Sequence, residues 1–473
     1  MTATSSVRPA RLRLWGLLFV LSGTMLLDAL EVSVALVALP AIRAEFGLGP
    51  ATLHWVVTGF ALGFGGSVLF GRRVVERFGR RRVYLAALAG FAVTSLLGAA
   101  AGDPVLLVAS RFAKGFCVAL TAPTGLSIIA ASFAEGTPRN RAVAVYSLFG
   151  ASGFSVGLLL SGVLTGFSWR AAFLFPAPVA VAVLLAGIWL VPRDEPVSGS
   201  PLDVAGATAF VGAVAALLCG ITLAGAAGVA GWLTWSAFAV AAALFVVFAR
   251  VERASAAPLV PLRLLRRPSL VRAMLGAIAL NGTNWGFLYL VTQQLQEGAG
   301  WPPLRAGLAM IVPASLLLAL TAPMSGGLVG RFGAARLIAI GAAAPPIGYA
   351  LYLAAGPQPD YLTHIMPSMA FVGFGFALGF AALHVQAVSG AAPHEHGVVS
   401  AVYQTAVQIG GALVLAAVAA TLAVNTPGAA PSAGSAVTAQ RPALVLLVAI
   451  GAAGLLVAFT GWKPRNAQGR TEK

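Results

Sequence analysis

Residues 27–40 read LDALEVSVALVALP, an apolar run carrying two acids three positions apart, Asp28 and Glu31. Side chains three apart share a face of a helix, so both carboxyls point the same way. The run continues on both sides to about residues 14–39, long enough to cross a bilayer as a helix. An ionisable group inside a span is costly, rarely faces lipid and marks a pathway or a proton site by default. Whatever this chain does has to account for that pair.

The rest of the chain is of the same kind. Of its 473 residues 59% are hydrophobic and only 9% charged, and a mean hydropathy of +0.90 is far above that of a soluble domain. A polytopic, all-α membrane protein is expected. The formal charge of +16 would suit a nucleic-acid partner if it lay on a soluble face. Here the bases sit in short loops between apolar runs, so no nucleic-acid partner is expected. Cys117 and Cys219 both fall inside apolar runs and imply no disulfide framework. Arg8, Arg11 and Arg13 precede the first run as in a secretory signal. That run is too long, holds two acids and lacks a small-residue cleavage site, so a retained first span is expected.

Fourteen runs of about 20 mainly apolar residues can be counted. Their approximate bounds are 14–39, 52–71, 82–101, 104–126, 141–165, 169–192, 203–225, 230–250, 270–292, 304–330, 335–355, 362–383, 397–423 and 441–462. With the N-terminus placed in the cytoplasm, 24 of the 30 Lys and Arg residues fall in inner segments and only Arg43, Arg170, Arg305 and Arg441 in outer loops. The bias predicts both termini inside and hence an even number of spans. GRRVVERFGRRR at 71–82, after the second run, is echoed by GGLVGRFGAAR at 326–336, after the tenth. The echo divides the chain into six-helix bundles at 1–192 and 264–473, with residues 193–263 as an inserted two-helix hairpin and its linkers.

On these residues the chain resembles the major facilitator superfamily, and within it the fourteen-span drug:proton antiporter branch, over nearly its whole length. The first span of that branch carries an acid, a Thr two residues on and a closing ALP; LEVSVALVALPAI matches with Glu31, Ser33 and Ala38-Leu39-Pro40, and Asp28 is an extra acid one turn earlier. After the second span, Glu76, Arg77, Gly79, Arg80 and Arg81 match the superfamily's loop signature; its leading Gly is displaced to Gly71, and Arg72 stands in its place. The resemblance implies a charge latch that holds one conformation shut, while a loop that merely sets topology by its charge is the alternative. Arg111-Phe-Ala-Lys114-Gly115 is similar to the fourth-span signature Arg-x-x-Gln-Gly, with Lys114 for the Gln. Gly153, Gly157 and Gly162 match the fifth-span antiporter signature, but Leu158 replaces its Pro and Ser161 a Gly. Such spacing also serves close helix packing of any kind. Trp169-Arg170 followed by Pro176 and Pro178 is similar to the branch's sixth-span opening. In the second loop Gly330 stands where an acid would be, so no symmetrical latch is expected there.

The resemblance implies a secondary transporter that alternates between inward-facing and outward-facing states and exports a lipophilic drug, antibiotic or related metabolite against protons. Glu31 and Asp28 are the candidate proton-coupling pair, with Arg111 and Lys114 as buried charge partners; a static ion-pair cluster is the alternative. In the second half, Asn281, Asn284, Trp285 and Tyr289 on the ninth span and Tyr403, Gln404 and Gln408 on the thirteenth are candidates to line a substrate cavity, or to glue helices together. His364, His384, His394 and His396 lack the company a metal site needs, and GFGFALG at 373–379 is span packing, not a nucleotide fingerprint. No cofactor or metal is expected, the proton gradient being the energy source, and the expected partners are a small-molecule substrate, protons and the bilayer of the cell membrane, around a monomer. A facilitator or a proton symporter of a different, anionic solute is the first alternative, and a membrane-embedded enzyme a remote one.

Overall fold

A computed structural model describes residues 7–193, 202–226, 228–255, 258–311, 331–356, 359–392, 395–425 and 435–461. Among these the chain is helical nearly throughout and holds no strand. The long helices are α1 (Val7–Phe46), α2 (Pro50–Phe78), α3 (Arg80–Ala99), α4 (Pro104–Ser132), α5 (Thr137–Thr165) and α6 (Trp169–Leu190). They are followed by α7 (Val204–Gly225), α8 (Gly231–Ala254) and α9 (Pro268–Gln293). Then come α10 (303–311), α11 (Ala334–Ala354), α12 (Met366–Val388), α13 (His396–Asn425) and α14 (Ser435–Thr460). Twelve of the described helices are long and apolar enough to cross a membrane. α9 has the length but is more polar, and most of the tenth expected span, with Gly330, lies outside the described residues, as does His394. The expected spans other than the tenth each coincide with a described helix, in order.

Local chemistry sets the helix ends. Pro104 opens α4 behind Asp103, whose carboxylate accepts from the Leu106 amide at 2.9 Å, the arrangement that satisfies an orphan N–H at a helix start. Gly79 and Gly333 take nearly the same backbone conformation, φ 87°, ψ 147° and φ 80°, ψ 149°, each joining one helix directly to the next. Only glycine enters that region readily, so the repeat seen in the letters Phe-Gly is also a repeat of backbone shape.

Glycines bring the helices of the first half together. A Cβ on Gly63 of α2 would lie 2.1 Å from the Phe112 carbonyl oxygen, and one on Gly115 of α4 2.2 Å from that of Phe60. α2 and α4 thus touch backbone to backbone, as small residues permit in a membrane, where close van der Waals packing rather than water exclusion drives association. The displaced Gly71 acts the same way, for a Cβ there would lie 2.8 Å from the Ala119 carbonyl oxygen. Gly153 and Gly157 of α5 do so against α1, where a Cβ would meet the Leu26 carbonyl oxygen at 2.9 Å and the Leu30 carbonyl oxygen at 2.8 Å.

α7 packs beside both halves, Gly66 of α2 meeting Val211 and Gly225 meeting the Ala420 backbone of α13. His54 ties the same helix down, its imidazole bonded to Thr58 at 3.2 Å and to Thr222 of α7 at 3.0 Å. α8 lies outside α7, with only 6% of its most apolar stretch buried, the exposure expected of a helix that faces lipid. Exposed Trp15 and Trp189 at the end bearing the N-terminus, and Trp232 and Trp235 at the opposite end, fall where aromatic residues collect at the two bilayer interfaces.

Candidate functional site

Asp28 and Glu31 face into the first bundle, both buried at 6% and 1% exposure, and neither meets lipid. α5 holds α1 from one side through Gly153 and Gly157, and α4 lies on the other. Arg111 and Lys114 of α4 are equally buried, and both are spent on one acid. The Arg111 guanidinium pairs with one Glu31 carboxylate oxygen and Lys114 Nζ donates to the other at 3.0 Å. Arg111 also donates to the Glu31 carbonyl at 2.8 Å and the Val56 carbonyl at 3.0 Å, and the Phe60 ring lies 4.6 Å from its guanidinium carbon. Phe91 lies 5.2 Å from Lys114 Nζ. Three hydrogen bonds from Arg111 and one from Lys114 hold the two bases against Glu31.

Asp28 is treated differently. Its Oδ2 accepts from the Thr121 hydroxyl at 2.9 Å, while among the described residues Oδ1 is buried with no hydrogen-bond partner. Among the described residues no base pairs with it. The two acids that share a face thus have opposite surroundings, one neutralised by two cations and one with a single hydroxyl, and a buried carboxyl without a counter-charge is the one that gains from holding a proton.

The loop between α2 and α3 is stitched locally. Glu76 pairs with Arg72 at 2.9 Å and with Arg73 at 3.5 Å. Arg81 donates to the Ile188 and Val191 carbonyls at the end of α6, at 2.6 and 2.8 Å, and Arg80 to the Ser127 carbonyl of α4. Cations at helix C-termini satisfy orphan carbonyls and complement the dipole, as Arg81 does at the end of α6. Arg77 lies in the last turn of α2, and Arg73 reaches out to the Pro258 carbonyl of the linker that enters the second half, at 3.0 Å.

In the second half, the Asn281 amide donates to the Val407 carbonyl at 2.9 Å and the Tyr403 hydroxyl to that of Phe380 at 3.4 Å; these two hold helices together. Trp285 is buried beside Gly411, whereas Asn284 and Gln404 are half-buried. Among the described residues the Tyr289 hydroxyl and the Gln408 side-chain oxygen are buried without partners, as are Gln293 Nε2 and Gln294 Oε1. The sequence reading passed over Gln293, although 281, 285, 289 and 293 continue one four-residue period on α9. His54 and the acids Glu45, Glu252, Glu297 and Glu395 each fasten one segment to another. Glu45 accepts from Trp169 and Arg170, both at 2.6 Å. Glu395 pairs with Arg263 and Arg267 at 3.1 and 2.7 Å. Among the histidines, His384 packs edge-on against Tyr403 and His364 bonds Thr363.

The two halves meet in a seam at the end opposite the N-terminus. Arg43 of α1 pairs with Glu297, just past α9, at 2.7 Å, and the Gln296 amide donates to the Val37 carbonyl at 3.1 Å. A Cβ on Gly162 of α5 would lie 2.9 Å from the Leu304 Cα of α10, and one on Gly307 2.8 Å from the Leu158 carbonyl oxygen. Gly162 therefore serves contact between the halves, unlike Gly153 and Gly157. Nearer the middle, Thr405 of α13 donates to the Gly65 carbonyl of α2 at 2.9 Å.

Two helical halves, each holding polar groups in an apolar interior and joined across a seam, define a multi-pass membrane transporter. The chain belongs to the Major Facilitator Superfamily, whose family model matches residues 21–415. It is 32% identical over 414 residues to the cephamycin export protein CmcT of Amycolatopsis lactamdurans, covering 84% of this chain and 83% of that one. It is 34% identical over 410 residues to the puromycin resistance protein pur8 of Streptomyces alboniger, covering 85% and 80%. Among solved structures, a point mutant of the nucleoside transporter NupG superposes with a TM-score of 0.66 at 13% identity, covering 95% of this chain and 100% of the other. The protein is a secondary transporter and not an enzyme.

Proposed function

We propose that this transporter exports antibiotic-like small molecules across the cell membrane in exchange for protons, with both termini in the cytoplasm and the Arg43–Glu297 seam on the outer side. Asp28 is the group that takes and releases the proton, and Glu31, with Arg111 and Lys114, is the fixed charge cluster beside it. The single observation that carries this reading is the buried Asp28 carboxyl, which among the described residues has no cation beside it and one oxygen unpartnered, on the face that also carries an acid paired with two cations. A proton held there can be traded for a conformational change or for cargo, because the protonated and ionised forms differ most in cost where no counter-charge stands by.

Substrate class is supported by the export and resistance relatives. A symporter of anions finds less support, since Arg111 and Lys114 are both engaged by Glu31. The inward proton gradient suffices as energy: each proton contributes about 2.3 kcal/mol per 100 mV of membrane potential.

The test has two stages. A susceptibility panel on cells with and without the protein, including puromycin and a cephamycin, identifies a protected compound. That compound is then added to proteoliposomes with an acidic lumen. Antiport makes the lumen more alkaline as the compound enters, symport makes it more acidic, and a facilitator leaves it unchanged; either of the latter outcomes overturns the reading.

A further inference from the structure

A carboxyl that gains and loses a proton needs a neighbour of two kinds. Ionised, it only accepts hydrogen bonds; protonated, it must also donate one. In a buried site a partner that suits one form alone leaves the other with an unmade bond, and that costs more than a made bond gains.

Glu31 has partners of one kind. Its carboxylate oxygens meet Arg111 and Lys114, side chains that donate and have no acceptor. A proton on either oxygen would meet N–H groups, so these partners suit the ionised form.

Asp28 meets a hydroxyl instead. Thr121 Oγ1 of α4 lies 2.9 Å from Asp28 Oδ2 and, on its own helix, 3.2 Å from the Val118 carbonyl oxygen and 3.4 Å from that of Cys117. One hydroxyl proton thus has three acceptors in reach, and the two carbonyls are those to which a helical threonine ordinarily bonds back. Thr121 is buried at 1% exposure, so these groups, rather than bulk water, supply its hydrogen bonds.

Among the described residues the titratable and charged groups around Asp28 are Glu31 on its own helix, Arg111, Lys114 and Cys117 on α4, Tyr84 on α3 and Tyr146 on α5. They are engaged elsewhere. Arg111 and Lys114 bond Glu31, Tyr84 shares a 2.6 Å bond with Thr24, and Tyr146 donates to the Ala122 carbonyl at 3.2 Å. The Cys117 sulfur lies toward α3, where a Cβ on Gly90 would be 2.8 Å from it.

We infer that Thr121 is the positioning residue that keeps Asp28 hydrogen-bonded in both of its protonation states. When Asp28 is ionised, the Thr121 hydroxyl donates to Oδ2. When a proton arrives on Oδ2, the Thr121 O–H turns to the Val118 carbonyl and its oxygen accepts the O–H of the acid. One proton moves, on to the carboxyl and off it; Thr121 keeps its own throughout. The inference rests on Asp28 being the proton carrier.

The experiment reads the acid itself. The full chain in phosphatidylcholine nanodiscs is titrated and followed by infrared difference spectroscopy, the C=O stretch of protonated Asp28 being the band missing in Asp28→Asn. In Thr121→Val, which keeps the shape and loses the hydroxyl, the band should move to higher wavenumber, since the acid has lost its acceptor. It should also persist to a pH about one unit higher, because a hydrogen bond to a carboxylate is stronger than one to a neutral acid and its loss penalises the ionised form more. Thr121→Ser should restore both the position and the midpoint. Circular dichroism and gel filtration establish that each variant is folded; should Thr121→Val not be, Thr121→Ala takes its place. If Asp28→Asn removes no band, the assignment of the proton to Asp28 fails and the inference with it. If it removes one whose midpoint is the same in wild type and Thr121→Val, the inference alone is overturned.

Discussion

Replacing Glu31 by Gln and Asp28 by Asn should separate the two acids that the sequence presents as a pair. Glu31→Gln keeps the shape but strips the counter-charge from Arg111 and Lys114, at 0% and 1% exposure. Removing one partner of a buried ion pair costs about 3–5 kcal/mol, because the remaining charge stays uncompensated. Asp28→Asn leaves no stranded charge. It perturbs the Thr121 hydrogen bond, worth about 0.5–1.5 kcal/mol. In detergent, thermal unfolding followed by tryptophan fluorescence should therefore show a large fall in melting temperature for Glu31→Gln and a small one for Asp28→Asn. Adding Lys114→Gln to Glu31→Gln should recover part of the loss, since it removes one of the two orphaned cations. In proteoliposomes both acid variants should lose accumulation driven by a pH gradient, whereas Asp28→Asn should still exchange labelled for unlabelled compound across the membrane. Gradient-driven accumulation by Asp28→Asn at the wild-type rate would refute the assignment of the proton to that carboxyl. An unchanged melting temperature for Glu31→Gln would refute the reasoning from charge balance.

The seam should behave as a gate: Arg43→Ala, which deletes the 2.7 Å pair with Glu297, should raise labelling of a cysteine introduced at Val37 by a membrane-impermeant reagent added outside, and the charge-swapped double variant Arg43→Glu/Glu297→Arg should restore protection. Gly63→Ala drives a methyl into the Phe112 carbonyl and should prevent the close α2–α4 approach that holds Arg111; the expected outcome is little folded protein on gel filtration, while Gly49→Ala, at an extended position with open space around it, should yield much more. The Glu395 carboxyl is held below its ordinary pKa chiefly by the hydrogen bond from Arg267. A depressed carboxyl pKa contributes stability that is present above the unfolded value and lost as pH falls through the folded one. The melting-temperature difference between wild type and Glu395→Gln should thus hold steady from pH 8 to about pH 5 and shrink only below the ordinary carboxylate range near 4.5.

Much of the molecule is legible in its letters because membrane helices are written locally. Length and apolarity mark a span wherever about 20 residues can satisfy their own backbone. Asp28 and Glu31 share a face by the pitch of the helix, and the placement of Gly79 and Gly333 announces a repeated turn. The signature glycines Gly153 and Gly157 foretell a close approach, which the structure delivers against α1. What no periodicity conveys is depth and rotation between helices. Those decide that Lys114, three residues from Arg111, turns to Glu31 rather than to Asp28, and that Thr121 reaches the second acid. They decide that Arg43 finds Glu297, 254 positions away, and that Asn281 and Tyr403 are used to join helices while Gln408 is left with an unpartnered oxygen. Span positions and shared faces follow from bonding within a helix; partners, seams and voids follow from which faces meet, and that is settled only when all the helices pack at once.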